Sequence, residues 1–263
     1  MRVLVAGAAG SIGSVVGTGL RELGHDVAGL DVRPAFAGFD GDWFVADCTD
    51  GTAVRRVFEA GAPDAVVHLA GYPGEGSLPE SFTSHVVSTA ALLDAMVAHE
   101  VRRIVYASSN HAVGLAPRQE LLGTDVRPRP DTFYGVAKVS AEALLQLYAD
   151  RYGIDAVACR IGSFQPRPLS TRMLSTWLSH ADAVHMVQAG LTAPSPGFHV
   201  LYGISANTRA WWDLEPGRAI GYEPGDDAED YAADIPAGAD DEAEGAFVGG
   251  PFTLPEHHRP ALG

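Results

Sequence analysis

Lysine is almost absent from this chain, although arginine is common. Seventeen of the eighteen basic residues are arginine, and the single lysine is Lys138. It stands four residues after Tyr134, so on a helix the two side chains would share one face. Arginine is a poor substitute in such a pair, because its planar guanidinium differs in shape and donor geometry from a compact ammonium. The scarcity of lysine therefore marks Lys138 as a candidate functional residue.

Cysteine and long apolar runs are also scarce. Cys48 and Cys159, the two cysteines, are far apart and match no metal or redox spacing, so we predict no metal site. No run of 18 apolar residues occurs, which argues against a membrane span, and residues 1–5 follow a strand pattern instead of a signal peptide. These absences predict a globular protein in a reduced cytoplasm.

Positive charge is in deficit, since the formal net charge is -15. This charge argues against nucleic acid and anionic membranes as partners. It also repels small anions at long range, so an anionic substrate would need a local arginine. Much of the acidity lies in residues 223–244, which we interpret as a solvated surface segment. Its acidic side chains include Asp226, Asp227, Glu229, Asp230, Asp234, Asp240, Asp241, Glu242 and Glu244.

A glycine-rich turn follows the first predicted strand, residues 2–6, and precedes a helical pattern. Gly7, Gly10 and Gly13 are spaced as in a dinucleotide-binding turn. Gly7 would permit the tight turn, Gly10 the approach of backbone to a pyrophosphate, and Gly13 the packing of helix on strand. The helix N-terminus would then offer free N–H groups to the phosphates.

Two carboxylates follow later predicted strands. Asp31 lies 18 residues beyond Gly13, where it can accept hydrogen bonds from an adenosine ribose diol. It would repel a 2′-phosphate, so we expect NAD to be favoured over NADP, and the nearby Arg33 weakens this preference without reversing it. Asp47 ends the third strand, where its carboxylate can meet the adenine amino group.

Strands and helices alternate over most of the chain. The predicted strands cover residues 2–6, 27–30, 43–46, 65–71, 103–107, 156–161 and 199–203, and the predicted helices cover 14–23, 52–60, 80–99, 131–152, 171–178 and 181–189. This order predicts an α/β fold, a Rossmann-type doubly wound parallel sheet of about seven strands with a small C-terminal substrate lobe. We predict three parts: an NAD-binding core over 1–162 that carries the catalytic residues, a small lobe over 163–225, and an acidic Gly/Pro-rich tail over 226–263.

Tyr134 is a candidate general base. A tyrosine is a poor base alone, with a reference pKa of about 10, but a neighbouring ammonium favours the phenolate. A Tyr-x-x-x-Lys match by itself also fits an ordinary amphipathic helix. Ser109 ends the fifth predicted strand, at the sheet edge where doubly wound folds bind ligands. Its presence behind a dinucleotide-binding turn favours the catalytic interpretation.

These motifs together resemble a known family. The glycine pattern, Ser109 and Tyr134-x-x-x-Lys138 resemble the extended short-chain dehydrogenases/reductases, often labelled NAD-dependent epimerase/dehydratase. More specific segments are similar to those of uronate dehydrogenases, and the resemblance covers about residues 1–225. Those segments are Ser108-Ser109-Asn110-His111, Arg160-Ile161-Gly162-Ser163, Arg172-Met173-Leu174-Ser175-Thr176-Trp177, and Ser205-Ala206-Asn207-Thr208 with Trp211-Trp212-Asp213.

The resemblance implies an activity and a set of roles. Tyr134 would accept the proton, Lys138 would hold the nicotinamide ribose and tune Tyr134, and Ser109 would steady the reacting hydroxyl. The reaction would be oxidation of a hexuronate, glucuronate or galacturonate, at the anomeric carbon to an aldaro-1,5-lactone, in a homo-oligomeric enzyme. Arg172 is the natural partner of the C6 carboxylate, since its fork matches a carboxylate.

The predicted sites follow from the strand ends and the resemblance together. The cofactor-binding residues are Gly7, Gly10, Ser11, Ile12, Gly13, Asp31, Val32, Arg33, Asp47, Cys48, Leu69, Ala70, Gly71, Tyr134, Lys138 and Ile161. The substrate-binding residues are Pro73, Ser109, Asn110, His111, Tyr134, Ser163 and Arg172.

Three departures from the family pattern leave the exact sugar open. Ala6 replaces a common threonine, His85 replaces an asparagine, and Pro73 replaces a serine that would bind the substrate. Relatives with the Ser-Ser-Asn-His segment also oxidise glucose 6-phosphate, so an NAD-dependent aldose or glucose 6-phosphate 1-dehydrogenase is one alternative. A nucleotide-sugar epimerase or dehydratase is another, although such enzymes usually have a larger C-terminal lobe. A non-catalytic NAD-binding protein would not need both the tyrosine and the lysine.

Overall fold

A parallel sheet forms the centre of the structure, a computed structural model that describes residues 1–239 and 241–262. The strands are β1 Arg2–Ala6, β2 Asp26–Asp31, β3 Trp43–Val45, β4 Ala65–His68, β5 Arg103–Ser109, β6 Asp155–Ile161, β7 Ser163–Phe164, β8 Trp177–Leu178 and β9 Phe198–Gly203. Seven of them form one sheet in the order β3-β2-β1-β4-β5-β6-β9. The predicted Rossmann-type doubly wound sheet is confirmed.

Helices cover both faces of the sheet. They are α1 Ser11–Glu22, α2 Gly51–Gly61, α3 Leu78–Phe82, α4 Ser88–Ala98, α5 Phe133–Tyr152, α6 Met173–Thr176, α7 His180–Thr192, α8 Glu215–Arg218 and α9 Asp241–Gly245. Apolar side chains of α1 and α7 pack on one face, and those of α2, α4 and α5 pack on the other. Because both faces are covered, the central strands are continuous apolar runs without alternation.

The predicted helix over residues 80–99 is interrupted. It begins at Leu78, where the Ser77 hydroxyl accepts a hydrogen bond from the Glu80 N–H and the Glu80 carboxylate accepts one from the Ser77 N–H. A π-helical turn, Thr83–Val87, then joins α3 to α4. Sequence periodicity does not reveal such a turn, because it adds only one residue to a helical pattern.

The same helical stretch, Leu78–Ala98, is long and apolar enough to cross a membrane by length and composition, with a mean hydropathy of 1.2. Within the fold, Leu92, Leu93 and Met96 are fully buried in the core beside the sheet. A helix buried in a protein core meets the same criterion of length and composition, and the packing of this helix beside the sheet explains its apolar residues.

The predicted helix over residues 171–178 is wrong beyond Thr176. The chain turns into the short strand β8, which pairs with β7. Two hydrogen bonds of Trp177 stabilise this extended conformation. Its ring N–H donates to the Gln165 carbonyl (2.8 Å), and its own carbonyl accepts from the Asn207 amide (2.8 Å). These partners are distant in sequence, which is why a local pattern missed them.

The end of the chain combines a surface segment with a buried one. The described acidic side chains of residues 223–244 are exposed or half-buried, as predicted, and Asp240 lies outside the described residues, as does Gly263. Val248, in contrast, is fully buried, in a cluster with Trp211 and Trp212. The division into core, lobe and tail stays a prediction.

Candidate active site

Glycines shape the turn between β1 and α1. Gly7 has a φ of +83°, and a Cβ there would lie 2.6 Å from the Ala70 nitrogen at the end of β4. A Cβ on Gly13 would lie 2.1 Å from the Gly7 oxygen, so Gly13 serves the contact of α1 with the turn itself. Gly10 caps α1 without a side-chain hydrogen bond. The first N–H groups of the helix therefore remain available to an anion.

A cavity of about 890 Å³ opens beside this turn. Ten of the predicted cofactor-binding residues line it: Gly7, Gly10, Asp31, Val32, Arg33, Asp47, Cys48, Leu69, Ala70 and Gly71. The strands β1 and β4 are neighbours here, at the point where the order of the sheet reverses. Dinucleotides bind at such a point, and the volume suits an extended cofactor. The residues present therefore fit NAD.

The remaining predicted cofactor residues lie around this cavity without lining it. Ser11, Ile12 and Gly13 form the first turn of α1, Ile161 ends β6, and Tyr134 and Lys138 belong to α5. The cavity is also walled by residues that sequence reasoning did not select, in the loop 72–79 and the π-helical turn that holds His85.

Asp31 joins the end of β2 to the glycine turn. One carboxylate oxygen accepts from the Ala9 N–H (2.9 Å), and the other accepts from the N–H (3.0 Å) and Nε (3.2 Å) of Arg33. The side chain is buried, whereas the Arg33 side chain is mostly exposed. The carboxylate is thus fixed at the cavity wall, where it can accept ribose hydroxyls.

Ser109, Tyr134 and Lys138 come together at the carboxyl end of β5. The Lys138 ammonium donates to the Ala107 carbonyl (2.6 Å) and lies 5.3 Å from the centre of the Tyr134 ring. The Ser109 hydroxyl accepts from the His111 N–H (3.2 Å) and donates to Oδ1 of Asn110 (3.4 Å). The three predicted catalytic side chains therefore share one location.

Burial dominates the ionisation of this group. It raises the pKa of Tyr134 to about 12, against a smaller lowering by the hydrogen bond with Ser109. It also lowers the pKa of Lys138 to about 7, although the charge of Glu142 opposes this. Burial therefore outweighs the expected lowering of the Tyr134 pKa by the ammonium, because the lysine is bound to a backbone carbonyl and both groups are desolvated.

Glu142 links the lysine to a buried ion pair. It lies one turn after Lys138 on α5 and pairs with Arg160 at 2.9 Å and 3.1 Å. It also accepts a hydrogen bond from Ser108 (2.5 Å). This carboxylate is the buried negative charge that favours a protonated Lys138, and sequence reasoning did not identify it.

A backbone carbonyl connects two predicted sugar-binding side chains. The Val248 carbonyl accepts from the Asn110 amide (3.1 Å) and from Nη2 of Arg172 (2.7 Å). Nη1 of Arg172 donates to the Ser163 hydroxyl (3.3 Å), two residues beyond the strand that pairs with β5. Burial lowers the pKa of Arg172, with Glu244 and Asp131 opposing the shift. The guanidinium is thus held close to Asn110 and Ser163.

His111 is held by a carboxylate. Its Nδ1 donates to Asp131 (2.8 Å), whose side chain has no exposed surface. Since Nδ1 carries the hydrogen, Nε2 is the nitrogen left for a substrate. The His111 ring contacts Tyr134 (5.8 Å between centres) and Phe252 (4.9 Å). Sequence reasoning missed Asp131 and Phe252, and it described the part of the chain around Phe252 only as a Gly/Pro-rich tail.

Glu75 caps the catalytic helix. Its carboxylate accepts from the N–H of Phe133 (2.9 Å) and of Tyr134 (3.2 Å). An acidic side chain is favourable at a helix N-terminus. Glu75 also lines the cofactor cavity, so one residue touches both the cavity and the backbone of the predicted base.

Two family departures lie near this cap. Pro73 is exposed, between two residues that line the cavity. His85 fits beside Gly71 only because a glycine is there, since a Cβ would lie 2.4 Å from the ring. Burial, together with the charge of Lys138, lowers the pKa of His85 to about 3, so the ring is neutral, and it lies 5.0 Å from that of Tyr134.

The cavity, the glycine turn and the Ser/Tyr/Lys group define an NAD-dependent oxidoreductase built on a Rossmann-type sheet. The chain belongs to the NAD dependent epimerase/dehydratase family, whose model matches residues 3–193. The family resemblance drawn from the sequence motifs is confirmed.

Similarity to uronate dehydrogenases extends over nearly the whole chain. The uronate dehydrogenase of Pseudomonas putida is 34% identical over 258 residues, which covers 96% of each chain. That of Agrobacterium fabrum is 38% identical over 256 residues, with 95% of this chain and 96% of the relative covered. A solved structure of a uronate dehydrogenase variant from Agrobacterium tumefaciens, complexed with NAD, is 36% identical with a TM-score of 0.89, covering 96% of each chain.

Proposed function

We propose that this protein oxidises a hexuronate, glucuronate or galacturonate, at its anomeric carbon with NAD+ to an aldaro-1,5-lactone. The observation that carries the proposal is the position of Arg172. This residue is a half-buried cation beside the predicted sugar site of a protein whose net charge is -15. Burying a guanidinium is costly, a cost that Glu244 and Asp131 offset only in part because the pKa of Arg172 is still lowered, and a substrate carboxylate fits its fork. The similarity to uronate dehydrogenases supports the same substrate class.

The positions of the protein side chains support the following roles. Ser109 holds the C1 hydroxyl, and Tyr134 removes its proton. NAD+, when bound, would supply the acceptor for the hydride that leaves C1 as this carbon becomes the lactone carbonyl. Asn110 and His111 orient the sugar hydroxyls, and Arg172 binds the C6 carboxylate.

Proton removal requires the Tyr134 phenolate. Since burial raises the pKa of Tyr134 to about 12, a nearby positive charge has to stabilise this form. Lys138 supplies that charge only while it is protonated, and Glu142 favours its protonation. By the family resemblance Lys138 would also hold the nicotinamide ribose.

The glycine turn and Asp31 would hold the rest of NAD. The free N–H groups of α1 would bind the pyrophosphate, and Asp31 would accept hydrogen bonds from the adenosine ribose. Asp47 would approach the adenine amino group.

A substrate screen tests the proposal. The purified protein is mixed with NAD+ and glucuronate, galacturonate, glucose or glucose 6-phosphate, and NADH is followed at 340 nm. We expect net NADH with a hexuronate and little with the neutral aldose. Activity confined to glucose 6-phosphate would replace the proposal with the alternative dehydrogenase, and the absence of net NADH with every sugar would favour an epimerase.

We also propose a cytoplasmic homo-oligomer that binds neither nucleic acid nor membranes. The net charge supports the expectation that the protein binds neither nucleic acid nor membranes. Light scattering after size exclusion would test the oligomeric state, and a monomeric mass would contradict the homo-oligomer.

A further inference from the structure

Residues 246–252, here called the C-terminal segment, are built into the fold by backbone pairing. The Arg118 N–H donates to the Ala246 carbonyl (2.8 Å), the Val248 N–H donates to Ala116 (3.1 Å), and the Gly249 N–H donates to Gly114 (2.9 Å). Together with the burial of the Val248 side chain, these bonds fix the position of the Val248 carbonyl.

Two glycines of the segment allow close contact with sugar-site residues. A Cβ on Gly249 would lie 1.7 Å from the Asp131 carboxylate, the partner of His111. A Cβ on Gly250 would lie 2.2 Å from Nε of Arg172, and Gly250 has a φ of +63°. No larger side chain fits at either position while both partners keep their places.

The segment therefore contacts three of the four polar residues of the predicted sugar site beyond the catalytic group: Asn110, His111 and Arg172. Its Val248 carbonyl accepts from both Asn110 and Arg172, and Gly249 and Phe252 contact the Asp131–His111 pair. Nη2 of Arg172 donates to the fixed Val248 carbonyl and Nη1 donates to the Ser163 hydroxyl, so two bonds together restrain the plane of the guanidinium and the direction of its remaining N–H groups.

We propose that the C-terminal segment is a positioning element of the sugar site: its Val248 carbonyl and Gly250 set the orientation of Arg172 for an anionic substrate. The proposal rests on the proposed function for the identity of that substrate. It assigns a specific task to a part of the chain that composition alone describes as an acidic Gly/Pro-rich tail.

Gly250→Ala tests the proposal, with Gly197→Ala as its matched control. Gly197 has the same φ of +63°, but nothing lies within 4 Å of a Cβ there. Both variants carry the backbone strain of alanine in the left-handed region, and only Gly250→Ala displaces Arg172. We expect Gly250→Ala to raise KM for glucuronate about 10- to 100-fold, the range for one charge-assisted hydrogen bond. Gly197→Ala should leave this KM unchanged, and the NAD+ dissociation constant should be unchanged in both.

A double-variant comparison shows whether the effect passes through Arg172. In an Arg172→Ala background the guanidinium that a Cβ at position 250 would clash with is absent, so Gly250→Ala should add less than a twofold change in KM. The same comparison is made without substrate by urea unfolding. Gly250→Ala should lower the unfolding midpoint more when Arg172 is present than when it is absent, whereas Gly197→Ala should lower it equally in both backgrounds.

The urea unfolding comparison distinguishes failure of the proposed function from failure of the proposed role of the C-terminal segment. If no hexuronate is oxidised, the proposed function fails, and the unfolding comparison still decides the role of the segment. Folding of Gly250→Ala only in the absence of Arg172 supports positioning. An equal stability cost of Gly250→Ala in both backgrounds, or failure to fold in both, overturns it.

Discussion

Replacing Arg172 by alanine should separate uronates from neutral sugars as substrates. The guanidinium is held by Ser163 at 3.3 Å and by Val248 at 2.7 Å, so a carboxylate would meet a cation that is already oriented. Losing a charge-assisted bidentate contact costs on the order of 2–4 kcal/mol. That energy corresponds to a fall in kcat/KM for glucuronate of about 30- to 1000-fold.

The assay compares kcat/KM for glucuronate and for glucose in the wild type and in Arg172→Ala. Glucose has no carboxylate, so its already low turnover should change much less. Arg167→Ala is the control for net charge, because Arg167 is an exposed arginine of the same loop. Rising salt should weaken hexuronate binding only modestly, since the contact is largely buried. If Arg172→Ala reduces glucose and glucuronate turnover alike, the arginine is structural and the uronate proposal loses its chemical basis.

Three further predictions concern the cofactor and the base. Asp31→Ala should narrow the preference for NAD+ over NADP+, measured as the ratio of kcat/KM values, and equal use of both cofactors by the wild type would contradict the role of Asp31. Tyr134→Phe should lower kcat by at least about 10²-fold while the NAD+ dissociation constant is kept, because a positioned general base is lost; near-normal turnover would show that another group takes the proton. In the folded protein the pKa of Lys138 is about 7, well below its ordinary value of 10.5 in the unfolded chain. Between these two pKa values the unfolded chain binds more protons than the folded protein, so the free energy of unfolding should rise with pH. Relative to Lys138→Met, the unfolding free energy of the wild type in urea should increase between pH 7 and 9 by up to about 1.4 kcal/mol per pH unit, and a constant difference would mean that the lysine keeps its ordinary pKa.

Local patterns predicted the core of the fold well. The apolar strands, the glycine turn after β1 and the spacing to Asp31 all follow from residues near one another in sequence, and the structure places them at one cavity. The pairing of Tyr134 with Lys138 is also local, because one turn of α5 brings them to one face. The motif did not predict how strongly burial shifts the pKa values of the pair, since burial depends on residues that the motif does not contain.

The failures have a common physical cause. The helix predicted over residues 171–178 ends at Thr176 in the structure, because Trp177 forms hydrogen bonds with Gln165 and Asn207, which no local pattern includes. Glu75 caps α5 from 58 residues away, and the carboxylate of Asp131 fits beside Gly249 across more than a hundred residues. Each of these contacts depends on how distant segments pack.

The amino-acid sequence by itself determined the Rossmann-type sheet and its glycine turn and predicted the catalytic residues, because periodicity and short spacings control strands, helices and turns. Only the tertiary structure decided how the sugar site is completed. The Val248 carbonyl meets Asn110 and Arg172 there because residues 246–249 pair with the backbone of residues 114–118 and because glycines leave room for Asp131 and Arg172. A backbone carbonyl carries no sequence signature, so its role is set by the packing of the chain alone.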